Sequence, residues 1–329
     1  MDFGQAFIDG LRAAVGIPAI AYALAAIGLN VHFGFTGLLN FGHVAFLLVG
    51  AYGTGIGVAE LGLPFFAAIP LGVAAALVLA VLLGIPTLRL RAEYLAIVTI
   101  ATAEILRIVV RSQSFEGITG GPQGIGGFAG PFYDLNPIPD GRYGFGSFEF
   151  GARQLWIIAV GWLLVALFSV LVALLAKSPW GRVLRAIRED EDAARSLGKS
   201  VFAYKLQSLA LGGVIAAFGG IVVAVDANFV DPVFWRPIVT FFVWTALILG
   251  GPGRVVGPVA GAVLFWFILQ SFDTLMRQAL GADSFLSRFI TSTDLGNVRF
   301  AVVGLALVLL VVYRPQGLLG RRQETLDVS

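Results

Sequence analysis

The chain has 329 residues, of which 58% are hydrophobic and 13% are charged, and its mean hydropathy is +0.89. A soluble domain is roughly half apolar and a quarter charged, so this composition excludes a water-soluble fold and predicts a polytopic membrane protein. The formal net charge of +2 is typical of basic cytoplasmic loops, and we expect no nucleic acid partner. Because the chain has no cysteine, a disulfide framework and a thiolate metal site are excluded.

Long apolar segments recur along the whole chain, and a helix needs about 20 residues to cross a bilayer. The segment near 31–58 is interrupted by glycines, and the one at 238–250 is short for a crossing. We predict one all-α transmembrane domain over residues 1–329, with about nine spans and a range of roughly eight to ten. The candidate spans are residues 12–31, 38–58, 64–86, 92–111, 154–176, 206–226, 238–250, 256–276 and 298–313.

Basic residues are concentrated in the connection at 177–205, which predicts that this connection is cytoplasmic. With about nine spans, the N-terminus is then extracytoplasmic and residues 314–329 form a cytoplasmic tail. The connection at 112–153 falls on the opposite side, where we expect an ordered extracytoplasmic loop or a re-entrant segment. The basic residues assigned to the cytoplasmic side are Lys177, Arg182, Arg185, Arg188, Arg195, Lys199, Lys205, Arg89, Arg91, Arg254, Arg314, Arg321 and Arg322.

The connection at 177–205 carries the signals of a helix. Ser178 and Pro179 are typical of a helix start and Gly198 of a helix end, so we predict one amphipathic helix lying at the membrane surface. Two interpretations are open, a solvated connector that satisfies the charge bias or a docking helix for a cytoplasmic partner. The charged residues predicted to share one face are Arg185, Arg188, Asp192, Arg195 and Lys199.

Polar residues inside the predicted spans mark candidate functional positions, because a charge in the membrane costs about 2.5 kcal/mol or more without a partner or water. Glu104 and Arg107 either pair along one helix or line a transport path. A second group lies where glycines interrupt the first two spans, and its side chains either meet a polar solute or hydrogen-bond between helices. That group comprises Asn30, His32, Thr36, Asn40 and His43.

Several strings are similar to one known family. Residues 192–198, Asp-Ala-Ala-Arg-Ser-Leu-Gly, look like the Glu-Ala-Ala-x-x-x-Gly loop of ABC importer permeases, with Asp192 in place of glutamate. Further similar strings occur at 40–43, 89–96 with Glu104, 119–125, 178–191, 249–258 and 314–318. Taken in order over nearly the whole chain, these strings resemble the branched-chain amino acid ABC transporter permease family.

The resemblance implies a non-enzymatic permease subunit of an ATP-driven importer in the bacterial cytoplasmic (inner) membrane, moving branched-chain or related amino acids. It implies a second permease subunit, two cytoplasmic ATPase subunits, an extracytoplasmic solute-binding protein and surrounding membrane lipid. ATP and magnesium would bind in the ATPase subunits, and we expect no cofactor, metal or catalytic residue in this chain. The residues implied to couple to the ATPase are Trp180, Gly181, Arg182, Arg185, Arg188, Asp192, Ala193, Ala194, Arg195 and Gly198.

A substrate path is also expected, together with an alternative mechanism. Thr119 and Gly120, in the string at 119–122, form an outer gate, a docking edge for a solute-binding protein or simply a tight turn. The alternative to an ATP-driven importer is a self-contained ion-coupled secondary transporter of a small polar solute, for which Glu104 is the candidate ion ligand. The sequence leaves open whether the solute is a leucine-type amino acid, another amino acid or an amide such as urea. The residues expected to line the path are Asn30, Asn40, His43, Glu104, Thr119 and Gly120.

Overall fold

The computed structural model describes residues 2–90, 92–279 and 295–313, and this part of the chain is mainly helical. Arg91 and the predicted tail at 314–329 lie outside the described residues. The helices are α1 (Phe3–Val15), α2 (Ile17–Leu29), α3 (Val44–Ala59), α4 (Phe65–Thr87), α5 (Ala92–Arg111), α6 (Glu116–Thr119), α7 (Gly130–Tyr133), α8 (Ala152–Lys177), α9 (Pro179–Glu189), α10 (Glu191–Ser196), α11 (Val201–Ala227), α12 (Ile238–Gly250), α13 (Val256–Ala279) and α14 (Leu295–Tyr313).

Several of these helices are long and apolar enough to cross a membrane. In the described part of the chain they are Ile17–Phe35, Phe65–Thr87, Ala152–Lys177, Val201–Ala227 and Val256–Ala279, while α3 and α12 are apolar but shorter. Each segment predicted to span the membrane coincides at least in part with a helix. The prediction of an all-α polytopic bundle is therefore confirmed.

The first predicted span, residues 12–31, has the wrong bounds. The helix breaks at Gly16, whose backbone is extended (φ −80°, ψ −175°), and Pro18 lies in the first turn of α2. Beyond α2 the chain continues as a π-helix, Asn30–Phe35, and α3 begins only at Val44. Proline favours a helix start, which explains why the apolar segment divides at Gly16.

The single surface helix predicted between residues 179 and 198 is also wrong, because two helices, α9 and α10, meet there at Asp190. Asp190 has extended backbone (φ −152°, ψ 106°) and separates α9 from α10. Its carboxylate accepts hydrogen bonds from the N–H groups of Asp192 (3.0 Å) and Ala193 (2.9 Å). Aspartate at this N-cap position stabilises a new helix start, so α10 begins as a separate helix directly after α9.

Helix α2 forms the centre of the bundle and is almost entirely buried. It contacts α8, α11, α12 and α13. Glycine lets α2 and α11 touch through their backbones, since a Cβ atom added to Gly28 would lie 2.2 Å from the carbonyl oxygen of Gly212. Small residues permit such close helix packing in membranes, and this contact fixes the position of the π-helix that follows α2.

The connection at 112–153 packs on the end of the bundle where α8 begins and α11 ends. Two short antiparallel sheets order it, β1 (Ile125–Gly126) with β4 (Phe229–Val230), and β2 (Arg142–Phe145) with β3 (Phe148–Gly151). The Tyr133 hydroxyl donates to the Val225 carbonyl at 3.1 Å. Burial, followed by the charge of Asp226, raises the pKa of Tyr133 to about 12, so this hydroxyl keeps its proton at neutral pH.

Helices α9 and α10 lie at the opposite end of the bundle from the 112–153 connection. They follow the end of α8 and precede the start of α11, and both of these long helices run from one end of the bundle to the other. The cationic group of Arg89, between α4 and α5, lies 5.7 Å from the ring centre of Phe202 in α11. The guanidinium of Arg188 contacts Gly34, and Arg254 contacts Asn30 through its carbonyl oxygen. We call this the basic end of the bundle.

Candidate functional site

The segment from Asn30 to Val44 is the structural centre of the candidate site. It comprises the π-helix Asn30–Phe35 and the connection to α3, and we call it the helix break. A broken helix leaves backbone N–H and C=O groups without intrahelical partners, and lipid supplies none. Neighbouring elements provide them here. The pairs are Val44 N–H to Thr240 Oγ1 (2.9 Å), Phe41 N–H to Thr99 Oγ1 (3.1 Å) and Trp244 Nε1–H to the Asn40 carbonyl (3.2 Å).

Asn30 ties the break to the turn between α12 and α13. Its side-chain N–H group donates to the Arg254 carbonyl at 2.7 Å, and its side-chain oxygen accepts from Gly253 N–H at 2.8 Å. The residue is 1% exposed. The donor and the acceptor of the Asn30 side-chain amide are therefore both paired within the protein, in a contact between the first span and the α12–α13 turn.

Two histidines hold the break against adjacent helices. The Nε2 atom of His32 lies 3.1 Å from the Leu209 carbonyl, and that of His43 lies 2.8 Å from the Ala25 carbonyl. Because a carbonyl oxygen only accepts, Nε2 is the donor in both rings. The Nδ1 atom of His32 then accepts from the Asn40 amide at 3.3 Å.

Of the two interpretations for this polar group, the described contacts are those of hydrogen bonding between helices. Asn30, Asn40 and His43 are each at most 1% exposed. Thr36 belongs to the same network, with its hydroxyl 2.7 Å from that of Ser208 in α11. Their assignment to a substrate path stays a prediction, which requires that the network open during transport.

Glu104 and Arg107 form an ion pair on α5. The Arg107 Nε–H group donates to a carboxylate oxygen of Glu104 at 2.9 Å, and a second N–H group contacts the other oxygen. The pair is not fully covered, since the Glu104 side chain is 35% exposed and that of Arg107 is 13% exposed. The pairing interpretation is thus seen in the structure, while a role for Glu104 in the path stays a prediction.

Thr119 and Gly120 lie in a tight turn at the end of α6. The Thr119 hydroxyl is 2.7 Å from the Val110 carbonyl and accepts from Gly121 N–H at 3.3 Å. Gly120 has φ +69°, and a Cβ atom there would lie 1.9 Å from the Gly124 carbonyl oxygen. Glycine is required for this conformation, which accounts for the motif structurally and leaves the gate as a prediction.

Helix α9 is anchored to the bundle by its inward face. Leu184 and Ile187 are buried, and Arg185 donates to the Ala176 carbonyl at 2.9 Å. The Trp180 indole donates to the side chain of Gln207 at 2.8 Å. Gly181 is needed where α9 turns back on α8, since a Cβ atom there would lie 2.5 Å from the carbonyl oxygens of residues 175 and 176.

Helix α10 presents an outward face of charged residues. Asp192 and Arg195 form an exposed ion pair with a separation of 2.7 Å. Ala193 and Gly198 are exposed beside them, while Ala194 is buried and anchors the helix. The predicted coupling residues therefore divide into a buried set that holds α9 and α10 on the bundle and an exposed set.

A cavity lies between the break and the surface helices. Its volume is ≈ 260 Å³, and Thr36, Leu38, Ile187 and Arg188 are among the residues that line it. Lys205 also lines it and pairs with Glu191 of α10. The sequence did not predict this Lys205–Glu191 pair, because it joins residues on two different helices that only the fold brings together.

These features define a class of protein, a multi-pass helical membrane protein with a broken central helix and a charged pair of surface helices at one end. Residues 13–312 match the family model described as branched-chain amino acid transport system, permease component. The chain belongs to this family.

Individual relatives are consistent with that membership. The chain is 34% identical to the "High-affinity branched-chain amino acid transport system permease protein LivM" of Salmonella typhimurium, over 96% of this chain and 71% of that protein. It is 25% identical to the "Probable branched-chain amino acid transport permease protein LivM" of Methanocaldococcus jannaschii, over 91% and 90%. It is 31% identical to the "Autoinducer 2 import system permease protein LsrC" of Photorhabdus laumondii, over 46% and 48%.

The contacts at the break predict a difference between two buried threonines of α12. Thr240→Val removes the only acceptor described for Val44 N–H and should lower the free energy of unfolding by about 1–3 kcal/mol, the cost of an unpaired buried donor. The Thr245 hydroxyl donates to the Phe241 carbonyl within its own helix, so Thr245→Val leaves no N–H group of another residue without an acceptor. Denaturation of both purified variants in detergent measures the difference, and equal stabilities would contradict the assigned role of Thr240.

Proposed function

We propose that this chain is the permease subunit of an ATP-driven ABC importer that moves branched-chain or related amino acids across a bacterial cytoplasmic membrane. The family membership and the names of the relatives with broad coverage support this proposal. The observation that carries it is the outward, solvent-exposed face of α10 at the basic end, where the ABC-permease motif at 192–198 lies. ATP and magnesium would bind in the partner ATPase subunits.

The orientation proposed is that the basic end faces the cytoplasm. Arg89, Arg188 and Arg254 lie together there, as the excess of basic residues on the cytoplasmic side of membrane proteins requires. The sheets of the 112–153 connection then lie outside, where a solute-binding protein would deliver the solute. In this orientation, α2 runs from outside to inside and α1 lies on the outer side.

Coupling to the ATPase is assigned to α9 and α10 with divided roles. The exposed residues Arg182, Asp192 and Arg195 would contact an ATPase subunit, since they offer charge and hydrogen-bonding groups that the chain itself does not bury. Gly181 and Ala194 are buried and would hold the two helices against the bundle. Movement of the ATPase would then displace α9 and α10 together with the elements that they contact.

A second permease subunit is proposed to cover the flank of α5. Charged groups do not face lipid at low cost, yet the Glu104 side chain is 35% exposed. Helix α5 also exposes Ile97, Ile105 and Ile108, so this flank combines apolar side chains with a partly exposed ion pair. Such a mixture suits a protein interface or a water-filled path better than the hydrocarbon core.

The function is tested with the chain purified together with its ATPase, second permease and solute-binding protein in vesicles. We expect ATP-dependent uptake of leucine, isoleucine or valine, and autoinducer 2 serves as the competing solute. In the Asp192→Lys, Arg195→Glu double variant the two residues keep opposite charges, so the bundle should fold, but the surface presented to the ATPase is inverted. We expect the ATPase to be lost on purification and uptake to fall at least about tenfold.

The matched control swaps the charges of Arg142 and Glu149, an exposed ion pair in the β2–β3 hairpin at the other end of the bundle. This Arg142→Glu, Glu149→Arg variant should retain the ATPase on purification. ATPase retention in the Asp192→Lys, Arg195→Glu variant would contradict the coupling assignment. A wild-type chain that purifies alone and transports solute without ATP would contradict the importer itself.

The α5 flank predicts a second difference. The Glu104→Leu, Arg107→Leu double variant leaves no unpaired charge, so it should remain folded. If the flank faces the second permease or the path, uptake should fall by about tenfold or more, with the ATPase still bound. Unchanged uptake with equal or greater stability would show that this flank faces lipid.

A further inference from the structure

Arg188 is an exposed residue of α9 whose guanidinium reaches the helix break of the first span. One of its terminal N–H groups donates to the carbonyl oxygen of Gly34, in the π-helix that ends at Phe35. Carbonyl groups in the last turn of a helix have no intrahelical partner and carry partial negative charge. The Arg188 guanidinium thus occupies the position in which a cation stabilises a helix end.

The groove around Arg188 is shaped by glycines. Gly37 has φ +77°, and a Cβ atom there would lie 3.3 Å from Arg188 Cγ. Gly253 has φ +80°, and a Cβ atom there would lie 3.3 Å from the Arg188 Nη1 atom. Both glycines have backbone conformations that other residues rarely adopt. Their lack of a side chain leaves room for the Arg188 side chain between them.

The same contact reaches a third element. A Cβ atom on Gly34 would lie 1.9 Å from the Asn30 side-chain oxygen and 2.6 Å from the Gly253 nitrogen. Asn30 in turn binds Gly253 and Arg254. Arg188, the end of the first span and the α12–α13 turn therefore form one connected unit at the basic end.

We infer that Arg188 is a positioning residue that transmits movement of α9 to the broken first span, and does so through the Gly34 carbonyl and not by contact with the ATPase. This inference rests on the proposed function, because it takes α9 to be moved by an ATPase. It assigns Arg188 a role different from that of Arg182, Asp192 and Arg195, whose charged groups face outward. Loss of Arg188 should separate ATP hydrolysis from transport instead of detaching the ATPase.

The test measures ATP hydrolysis and amino acid uptake in the same vesicles containing the assembled importer. For Arg188→Gln we expect retained ATPase on purification, retained hydrolysis and a fall of about tenfold in solute moved per ATP, because glutamine removes the charge-assisted hydrogen bond. Lys177→Gln is the matched control, since it removes a positive charge from an exposed position at the same end. It should leave solute moved per ATP unchanged.

A covalent rescue makes the test independent of charge. A Cβ atom on Gly37 would lie 3.8 Å from that of Arg188, within the range of roughly 3.5–4.5 Å that a disulfide needs. Cysteine at φ +77° strains the backbone, and this cost is the same in the oxidised and the reduced protein, so it cancels in their comparison. The chain has no cysteine of its own, so Gly37→Cys with Arg188→Cys gives a unique pair. We expect the oxidised pair to move more solute per ATP than the same protein after reduction, with Gly37→Cys and Arg188→Cys alone unaffected by the reductant.

The outcomes separate this inference from the proposed function. If the wild-type assembly imports solute with ATP but Arg188→Gln matches Lys177→Gln, the inference is overturned and the importer stands. Loss of the ATPase from Arg188→Gln would also overturn it, because Arg188 would then act in docking. If Arg188→Gln does not fold, the disulfide pair decides: equal transport per ATP when oxidised and reduced overturns the inference. A wild-type chain that transports without ATP defeats the proposed function.

Discussion

The bilayer offers no hydrogen-bonding partners to a broken helix, and this constraint organises the protein around residues 30–44. Polar groups at the break reach partners in several other elements of the bundle. The partners come from α5, α11, α12, the α12–α13 turn and α9, through Thr99, Leu209, Thr240, Gly253 and Arg188. A helix end that depends on so many neighbours responds to movement in any of them.

The break also gives a physical route by which a permease subunit can take part in an energy-driven process. Buried hydrogen-bond networks are strong when complete and costly when partly opened. Such networks therefore favour two distinct arrangements over a continuous range of intermediate ones. Packed helices that switch between such arrangements are a known basis of conformational transitions. Here the surface helices, the break and the α12–α13 turn are joined by Arg188 and Asn30, so one displacement at the basic end affects several spans.

Much of the fold could be predicted from the sequence, since apolar length alone placed each predicted span on a helix, with bounds within several residues of those described. The bounds of the first span were wrong because Gly16 and Pro18 divide an uninterrupted apolar segment, and hydropathy does not detect such a division. The surface segment was predicted as one helix because Asp190 is compatible with a helix interior by composition. Its role as an N-cap became evident only from its backbone angles and its bonds to residues 192 and 193.

The candidate site was harder to predict for a physical reason. Asn30, Asn40 and His43 were recognised as polar residues near a break, but their partners lie far away in sequence and depend on the packing of the bundle. For example, Asn30 binds residues 253 and 254. Charge patterning likewise grouped Arg188 with Asp192 and Arg195, although the Arg188 guanidinium contacts the Gly34 carbonyl while the other two side chains pair with each other. Sequence periodicity reports which residues share a face of one continuous helix, and the helix divides here at Asp190.

The central claim is that movement of α9 and α10 reaches the break, and accessibility of the cavity between them tests it most directly. Thr36 lines this cavity and is buried, and Thr36→Cys places the single thiol of the chain there. The rate at which a small maleimide alkylates this thiol should change by about threefold or more when the assembled importer is trapped with ATP. The Gly130→Cys variant, with its thiol in the 112–153 connection at the other end of the bundle, should react at the same rate in both states. Equal rates for Thr36→Cys with and without ATP would contradict the account.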